Sequence, residues 1–152
     1  MPIISVGLGH DALGDIKMTG VRDLHDLCRR MTPSMVEGVF VYCSFSDFRV
    51  PQGLQPICTF REDEGLTAIV SMAQAEASGV PYTFPCRLIT LAVHSSLDAV
   101  GFLACITERL AREGIACNAV AGYHHDHLFV PQSRAEVALQ VLRGLAAETG
   151  ST

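Results

Sequence analysis

The pattern of apolar and polar positions is clearest in the second half of the chain. An apolar run at 88–94 predicts a strand, and apolar residues at helical spacing then predict a helix that ends at Gly114. Two shorter apolar runs and a final amphipathic stripe follow. The predicted elements are strands at 88–94, 115–123 and 127–130, a helix to about 113, and a last helix with the stripe Ala138, Val141, Leu142 and Leu145. The order β-α-β-β-α predicts an α+β, ferredoxin-like antiparallel sheet with its helices on one face.

Three helix starts carry capping-box spacing, in which a serine precedes an acid or amide by three residues. Ser71-x-x-Gln74 predicts a short helix that ends near Gly79, and Ser133-x-x-Glu136 predicts the start of the last helix. Ser95-x-x-Asp98 has the same spacing with aspartate as the acid. We therefore expect the helix of the second half to start directly after Ser95.

The first half has weaker periodicity. Residues 21–31 predict a helix that Pro33 ends, and 39–45 read as a buried strand. Apolar runs at 57–62 and 66–70 flank a turn at 63–65 and predict a hairpin, and a linker is expected between two prolines, at 81 and 85. The similar order of helix, glycine and strand in both halves predicts two tandem units, residues 1–80 and 81–152.

The second unit lacks a final strand. A complete βαββαβ unit needs one after its last helix, and only the last four residues of the chain, 149–152, remain there. We therefore predict that the sheet is completed from another part of the chain. The candidates are Ile3 to Leu8 and a strand near Asp15 to Thr19.

Composition restricts the class of protein. The 152 residues are 49% hydrophobic and 18% charged, against about 25% charged in typical soluble domains. This excludes a disordered chain, and the apolar runs are too short to cross a membrane. A net charge of −5 without a basic stripe argues against nucleic acid as a partner. The low charge instead predicts that apolar surface is covered by a second copy, giving a homodimer.

The six cysteines are spread over the chain without a C-x-x-C pair. They lie at 28, 43, 58, 86, 105 and 117, in apolar contexts. Free cysteine commonly behaves as a small buried hydrophobic residue. We therefore expect reduced thiols in the core and a cytoplasmic protein, and no secretory signal is readable at the start of the sequence.

Two segments of the second unit resemble the ACT-domain family. They are His94-Ser95-Ser96-Leu97-Asp98-Ala99-Val100-Gly101-Phe102 and Gly114-Ile115-Ala116-Cys117-Asn118-Ala119-Val120-Ala121-Gly122-Tyr123. The stretches 60–67 and 122–130 further make the whole chain similar to small stand-alone proteins with two tandem ACT-like units. The resemblance implies a βαββαβ fold and a non-catalytic regulator that binds a small molecule, commonly an amino acid, without a cofactor.

In the family, a ligand lies between two units, held by the loop before the first helix of one and the start of the second strand of the other. Carried over, the resemblance implies a ligand contacted by loop 94–101 and Asn118. Separately, the guanidinium of Arg61 is the best nearby candidate for a fork to a carboxylate. The full set of predicted ligand-binding residues is His94, Ser95, Ser96, Leu97, Asp98, Val100, Gly101, Asn118, Arg61 and Glu62. Leu97-Asp98-Ala99-Val100-Gly101 replaces the Pro-Gly common in the family loop and adds an acid there.

Each of these residues also has a purely structural interpretation. Ser95 and Asp98 are expected to cap a helix whether or not they touch a ligand, and Asn118 suits a strand start. Arg61 and Glu62, with the second acid Glu64, suit an exposed hairpin. The alternative functions are a structural or protein-interaction module without a ligand, and an enzyme.

A run of histidines raises a metal hypothesis. His124, His125, Asp126 and His127 are adjacent, and His94 ends a strand at the same predicted edge. Successive side chains of a strand point to opposite faces, so four adjacent residues do not converge without a sharp turn. We therefore favour a turn with strand-end hydrogen bonds over ligand contact, and both over a metal-dependent enzyme. There is no Gly-x-Ser-x-Gly motif for Ser-His-Asp hydrolysis.

Overall fold

The computed structural model describes residues 21–150. The helices in this range are α1 (Leu24–Arg30), α2 (Met72–Ala77), α3 (Phe102–Arg112) and α4 (Ala135–Gly150). The strands are β1 (Pro33–Met35), β2 (Phe40–Phe45), β3 (Cys58–Glu62), β4 (Gly65–Ser71), β5 (Thr83–Leu91), β6 (Asn118–Ala121) and β7 (Asp126–Pro131). None of the described helices is long and apolar enough to cross a membrane.

All seven strands belong to one antiparallel sheet. Its order is β3-β4-β2-β5-β7-β6, and the short β1 lies beside β5. The first part of β5 pairs with β2, its last residues pair with β1, and its other edge pairs with β7. The two tandem α+β units therefore share a continuous sheet, and β5 joins them.

The sheet of the second unit is completed by the first unit. Pro33 pairs with Leu91 and Met35 pairs with Ile89, so β1 occupies the edge of β5 that faces away from β7. The sequence analysis predicted that another part of the chain completes this sheet, and β1 does so. The segments proposed for it, Ile3 to Leu8 and Asp15 to Thr19, lie outside the described residues.

The helices pack on one face of the sheet. Alternate residues of β5 and β7 point to this face and meet α1, α3 and α4 in the main core. Its largest fully buried side chains are Leu27, Ile89, Leu91, Ile106, Leu110, Leu128, Val130 and Leu142. The opposite face holds a second cluster that includes Phe40, Leu88 and Phe129. The predicted fold class and helix placement are confirmed.

The predicted start of α3 is wrong. The helix begins at Phe102, and its N-cap is Gly101, with φ 91° and no side-chain capping hydrogen bond. Ser95 and Asp98 do not cap it because both are bonded elsewhere: the Ser95 hydroxyl donates to Asp126, and Asp98 accepts from Ser96. Residues 94–101 therefore form a longer loop than the sequence predicts.

The predicted linker between the prolines at 81 and 85 is also wrong. Strand β5 begins at Thr83 and passes through Pro85. The register with β2 shifts there, between the pairs Phe40–Cys86 and Tyr42–Thr83. Proline lacks an N–H for the ladder, and such an irregularity is where a strand tolerates it.

Smaller differences concern the ends of elements. A short 3-10 helix, Gln132–Arg134, precedes α4 and contains Ser133, so α4 begins at Ala135 rather than after a serine N-cap. Strand β6 covers four residues of the predicted 115–123. Strand β7 begins at Asp126, one residue earlier than predicted, which brings an acidic residue into the sheet. The hairpin of β3 and β4 and the Ser71 cap of α2 are confirmed.

Candidate functional site

Loop 94–101 is fixed by main-chain contacts to the start of the described chain. The Val21 amide donates to the His94 carbonyl at 2.9 Å, and the Ser96 amide donates to the Val21 carbonyl at 3.1 Å. These bonds form an isolated parallel bridge between Val21 and Ser95. The loop thus begins in a defined position beside the end of β5.

The polar side chains of the loop form two pairs. The Ser95 hydroxyl donates to Asp126 Oδ2 at 2.9 Å, and Asp126 is 4% exposed. The Ser96 hydroxyl donates to Asp98, whose other oxygen lies 2.7 Å from a guanidinium nitrogen of Arg22 on the surface. The loop therefore has a buried carboxylate on its inner side and a solvated ion pair on its outer side.

A cavity lies between this loop, the first turn of α3 and the strands β6 and β7. Its volume is about 140 Å³. The residues that line it are Ser95, Ser96, Leu97, Ala99, Gly101, Phe102, Leu103, Ala104, Ala121 and Asp126. An apolar cavity of about 150 Å³ holds a benzene molecule, so this one has room for about six non-hydrogen atoms.

The cavity has a carboxylate on one side and amide donors with partial positive charge on another. At every helix N-terminus the first N–H groups lack an intrahelical acceptor and form the positive end of the helix dipole. The Cys105 amide bonds to the Gly101 carbonyl at 2.9 Å, which leaves the earlier amides of α3, at 102–104, as these free donors. The Asp126 carboxylate supplies negative charge from the sheet side. The site can thus hold an anionic and a cationic group at once.

Asp126 was missed as a site residue by the sequence analysis. It stood among the histidines of a predicted turn, where an acid is usually solvated. In the structure it is the first residue of β7, paired with Ala121 and Leu91. Leu128 and Val130 point to the helices, and two-residue alternation places Asp126 on the same face. The sequence signal for a buried Asp126 was therefore its spacing of two and four residues from the apolar Leu128 and Val130.

The histidines serve as strand-end contacts in the structure. His125 Nδ1 lies 3.4 Å from the Val93 carbonyl oxygen, and His127 Nδ1 lies 3.1 Å from Thr90 Oγ1. The rings of His94 and His124 are 5.6 Å apart between centroids. Within residues 21–150 no three histidine, cysteine or acidic side chains are arranged to hold a metal ion.

Burial of His127 makes stability depend on pH. Desolvation, with His125 nearby, lowers the pKa of His127 below its usual value of 6.5. The unfolded chain then binds the proton more readily, so stability is present above pH 6.5 and is lost as pH falls toward the folded pKa. We expect a lower urea midpoint at pH 5.5 than at 7.5, and a smaller decrease for His127→Gln than for the exposed control His25→Gln. Equal decreases in both variants would contradict this origin.

Asn118 lies on the other face of the sheet. It pairs with Phe129, whose ring belongs to the cluster on the face opposite the described helices. There it borders a hollow of about 350 Å³ between the two units. This hollow is lined by Tyr42, Cys58, Phe60, Thr67 and Ile69 of the first unit and by Asn118, Ala119 and Val120 of the second. Within one chain, loop 94–101 and Asn118 therefore do not meet.

The remaining predicted residues lie outside the cavity. Arg61 and Glu62 belong to the edge strand β3, where the Arg61 guanidinium stacks 4.9 Å from the ring centre of Phe48 and Glu62 accepts from Thr67. His94 is exposed, and Val100 is 84% exposed at the outer side of the loop. The structure thus brings together Ser95, Ser96, Leu97 and Gly101, with Asp98 adjacent through Ser96.

The fold defines a class of protein, the paired ferredoxin-like α+β units that share one antiparallel sheet. Family models described as ACT domain match residues 19–87 and 83–144. The chain belongs to the ACT-domain family and contains two tandem ACT domains. ACT domains are regulatory modules, which agrees with the implication of the sequence resemblance. None of the curated proteins compared with the chain has a matching sequence.

Solved structures share this fold. A protein of unknown function from Vibrio cholerae, described as a possible transport protein, is 41% identical, with a TM-score of 0.72 over 81% of this chain and 95% of that one. The regulatory subunit of aspartate kinase from Thermus flavus is 9% identical, with a TM-score of 0.54 over 76% of this chain and 97% of that one. The aspartate kinase of Clostridium acetobutylicum is 8% identical, with a TM-score of 0.60 over 76% of this chain and 34% of that one. The last two show the fold alone.

Proposed function

We propose that the protein is a non-catalytic regulator that binds a small amino acid in the cavity beside loop 94–101. The observation that carries this proposal is the buried Asp126 carboxylate, which faces a cavity that also borders the N-terminus of α3. A zwitterion has the complementary charges. Its carboxylate would accept hydrogen bonds from the amides of residues 102–104, and its ammonium group would donate to Asp126.

Several features favour binding over catalysis. The Ser95 hydroxyl donates to Asp126, and no histidine among the described residues shares that contact, so the Ser-His-Asp arrangement of a hydrolase is not formed there. The histidines of the adjacent turn bond to a carbonyl and to a threonine hydroxyl on β5. These contacts hold the loop and the strand ends together, and the cavity offers hydrogen-bonding groups for a polar ligand.

The size of the cavity supports a small side chain on the ligand. Room for about six non-hydrogen atoms suits glycine, alanine and serine, whereas drug-sized ligands occupy pockets of roughly 300 Å³ or more. A second carboxylate on the ligand would face Asp126 or the nearby Asp98. We therefore expect glycine, alanine or serine to bind better than aspartate or glutamate.

A thermal-shift screen of the twenty amino acids tests this proposal. A ligand at a hundred times its dissociation constant stabilises the folded chain by about 2.7 kcal/mol. For a chain of this size that raises Tm by roughly 5–10 °C. We expect such a shift for one or more of glycine, alanine and serine. An unchanged Tm with all twenty would contradict amino-acid binding and favour an interaction module without a ligand.

Regulation would follow from a ligand that bridges three elements. Loop 94–101, α3 and β7 all border the cavity, so an occupant in contact with each favours the arrangement in which they lie close together. The Val21 bridge links this loop to the segment that enters α1. Ligand binding would thus change the population of conformations at the contact between the units.

We also propose that the protein is a cytoplasmic homodimer. Edge strand β3 and the residue before it expose two large apolar side chains, Phe60 at 68% and Ile57 at 49%. An exposed apolar edge strand invites pairing with a further strand, and two copies of β3 can pair antiparallel about a two-fold axis. The edge would then be covered by its own copy.

Phe60→Asp is expected to convert this dimer into a monomer. A carboxylate placed at the contact would be buried opposite its own copy without a partner, which strongly disfavours association. Light scattering after size exclusion measures the mass of each variant. Thr59→Asp on the same strand is the matched control because its side chain points to the opposite face. Dimers of unchanged affinity in Phe60→Asp, or a monomeric wild type, would contradict pairing through β3.

A further inference from the structure

Two thiols from different units of the chain meet between α1 and α3. The Sγ atoms of Cys28 and Cys105 are 3.9 Å apart, and the Cys28 thiol donates to the sulfur of Cys105. Cys28 is buried, whereas Cys105 is only partly buried on the outer side of the contact. Both are free thiols in the structure, and they are separated by 77 positions in the sequence.

We propose that Cys28 and Cys105 are a site of oxidative modification, and that a small-molecule disulfide such as oxidised glutathione converts them into a disulfide that ties α1 to α3. The sulfur–sulfur bond of a disulfide is about 2.05 Å long, so the two atoms must approach by about 1.9 Å. The two helices already touch nearby, since Leu24 of α1 lies 3.6 Å from the position of a Cβ on Gly101.

The contact assigns different roles to the two thiols. Burial, reinforced by the neighbouring Cys105, raises the pKa of Cys28 to about 12, so Cys28 retains its proton at neutral pH. Cys105 is more accessible to solvent than Cys28, so a dissolved disulfide reaches Cys105 and not the buried thiol. Cys105 is therefore the thiol that reacts first.

Oxidation then proceeds by two exchange steps. The Cys105 thiolate attacks one sulfur of oxidised glutathione, which forms a mixed disulfide and releases one glutathione thiolate. In the mixed disulfide Cys105 no longer contributes to the raised pKa of Cys28, and burial is the remaining cause. Cys28 loses its proton to solvent and attacks the Cys105 sulfur, which releases the second glutathione. The protein loses two electrons and two protons, and oxidised glutathione becomes two reduced molecules.

The bond would join the first unit to the helix whose first turn borders the loop cavity. Cys105 follows directly after Ala104, one of the lining residues. A link between positions 28 and 105 also restricts the unfolded chain over a long loop, which is the case in which a disulfide stabilises most. We expect the oxidised protein to have a Tm higher by roughly 5–15 °C.

Incubation of the full chain with oxidised glutathione, followed by mass spectrometry without reducing agent, tests the proposal. The expected product has lost two hydrogen atoms, carries no glutathione, and yields one cross-linked peptide pair containing Cys28 and Cys105. Its Tm rises and returns to the starting value after reduction. Wild-type protein that keeps both thiols, or that retains glutathione on Cys105 without a cross-link, would overturn the proposal.

Two serine variants of partly buried cysteines provide the controls. Cys105→Ser should give neither the cross-link nor the rise in Tm, whereas Cys117→Ser should give both as in the wild type. Cys28→Ala, which keeps the buried site apolar, should accumulate the mixed disulfide at Cys105. A cross-link or a raised Tm in Cys105→Ser would assign the oxidation to other cysteines. None of these results depends on whether the cavity binds an amino acid.

Discussion

Replacement of Asp126 by asparagine is expected to weaken binding of glycine, alanine or serine by about ten- to a hundredfold. The change removes the negative charge that faces the cavity but keeps the size of the side chain. A hydrogen bond to a charged group contributes about 1.5–3 kcal/mol, and 1.4 kcal/mol corresponds to a tenfold change in affinity. The amide oxygen still accepts from Ser95, so the loop should keep its position. Calorimetric titration measures the difference.

The control for this variant is Asp63→Asn in the turn between β3 and β4. It changes the net charge by the same amount at an exposed position far from the cavity along the sheet. We expect its affinity to equal that of the wild type. Equal weakening in the two variants would show that total charge, and not Asp126, determines binding.

Ile89→Ala is expected to lower the free energy of unfolding by about 2–5 kcal/mol. Ile89 is fully buried on β5, the strand that joins the two units, and its side chain belongs to the core beneath the helices. Because both units share this strand, the loss should affect the whole chain. Urea unfolding followed by tyrosine fluorescence and by circular dichroism should give one coincident transition at a lower midpoint.

The matched control is Val100→Ala, a truncation of a branched side chain that is 84% exposed. Its effect should remain within about 0.5 kcal/mol. A second transition in Ile89→Ala, with one unit still folded, would contradict a core shared across β5. A loss no larger than that of Val100→Ala would contradict the burial of Ile89.

The fold could be predicted where local sequence patterns determine it. The hairpin of β3 and β4 follows from two apolar runs around a short polar turn, and α4 follows from its apolar stripe. The pairing of β5 could not be predicted, because its partners β1 and β2 lie about fifty residues earlier in the chain. Pro85 indicated a linker because proline interrupts a strand ladder. The register shift that accommodates Pro85 in β5 depends on the partner strand β2, which the local sequence does not reveal.

The candidate site was predictable only in part. The resemblance to ACT domains indicated loop 94–101, and several residues of that loop border the cavity. The prediction that Ser95 caps α3 was wrong. A serine three residues before an acid is typical of a helix N-cap, but here the Ser95 hydroxyl bonds to Asp126, which is distant in the sequence. Which face of β6 holds Asn118 depends on its register with β7, and that register is not visible in the sequence.

The separation of Asn118 from the loop gives two distinguishable positions for a ligand. The loop cavity has the Asp126 carboxylate and the amides at the start of α3, whereas the hollow beside Asn118 is lined mainly by apolar and aromatic side chains. A small zwitterion loses strong hydration when it binds, and only charged or hydrogen-bonding partners compensate for that loss. Our proposal therefore places the amino acid beside Asp126.

An NMR titration of the backbone amides with glycine, alanine and serine tests this placement most directly. We predict saturable shifts at residues 102–104, at Ser95 and at Asp126, with the amides of 118–120 unchanged. Shifts centred on Asn118 and Thr67, or a spectrum unaltered by all three amino acids, would contradict the account.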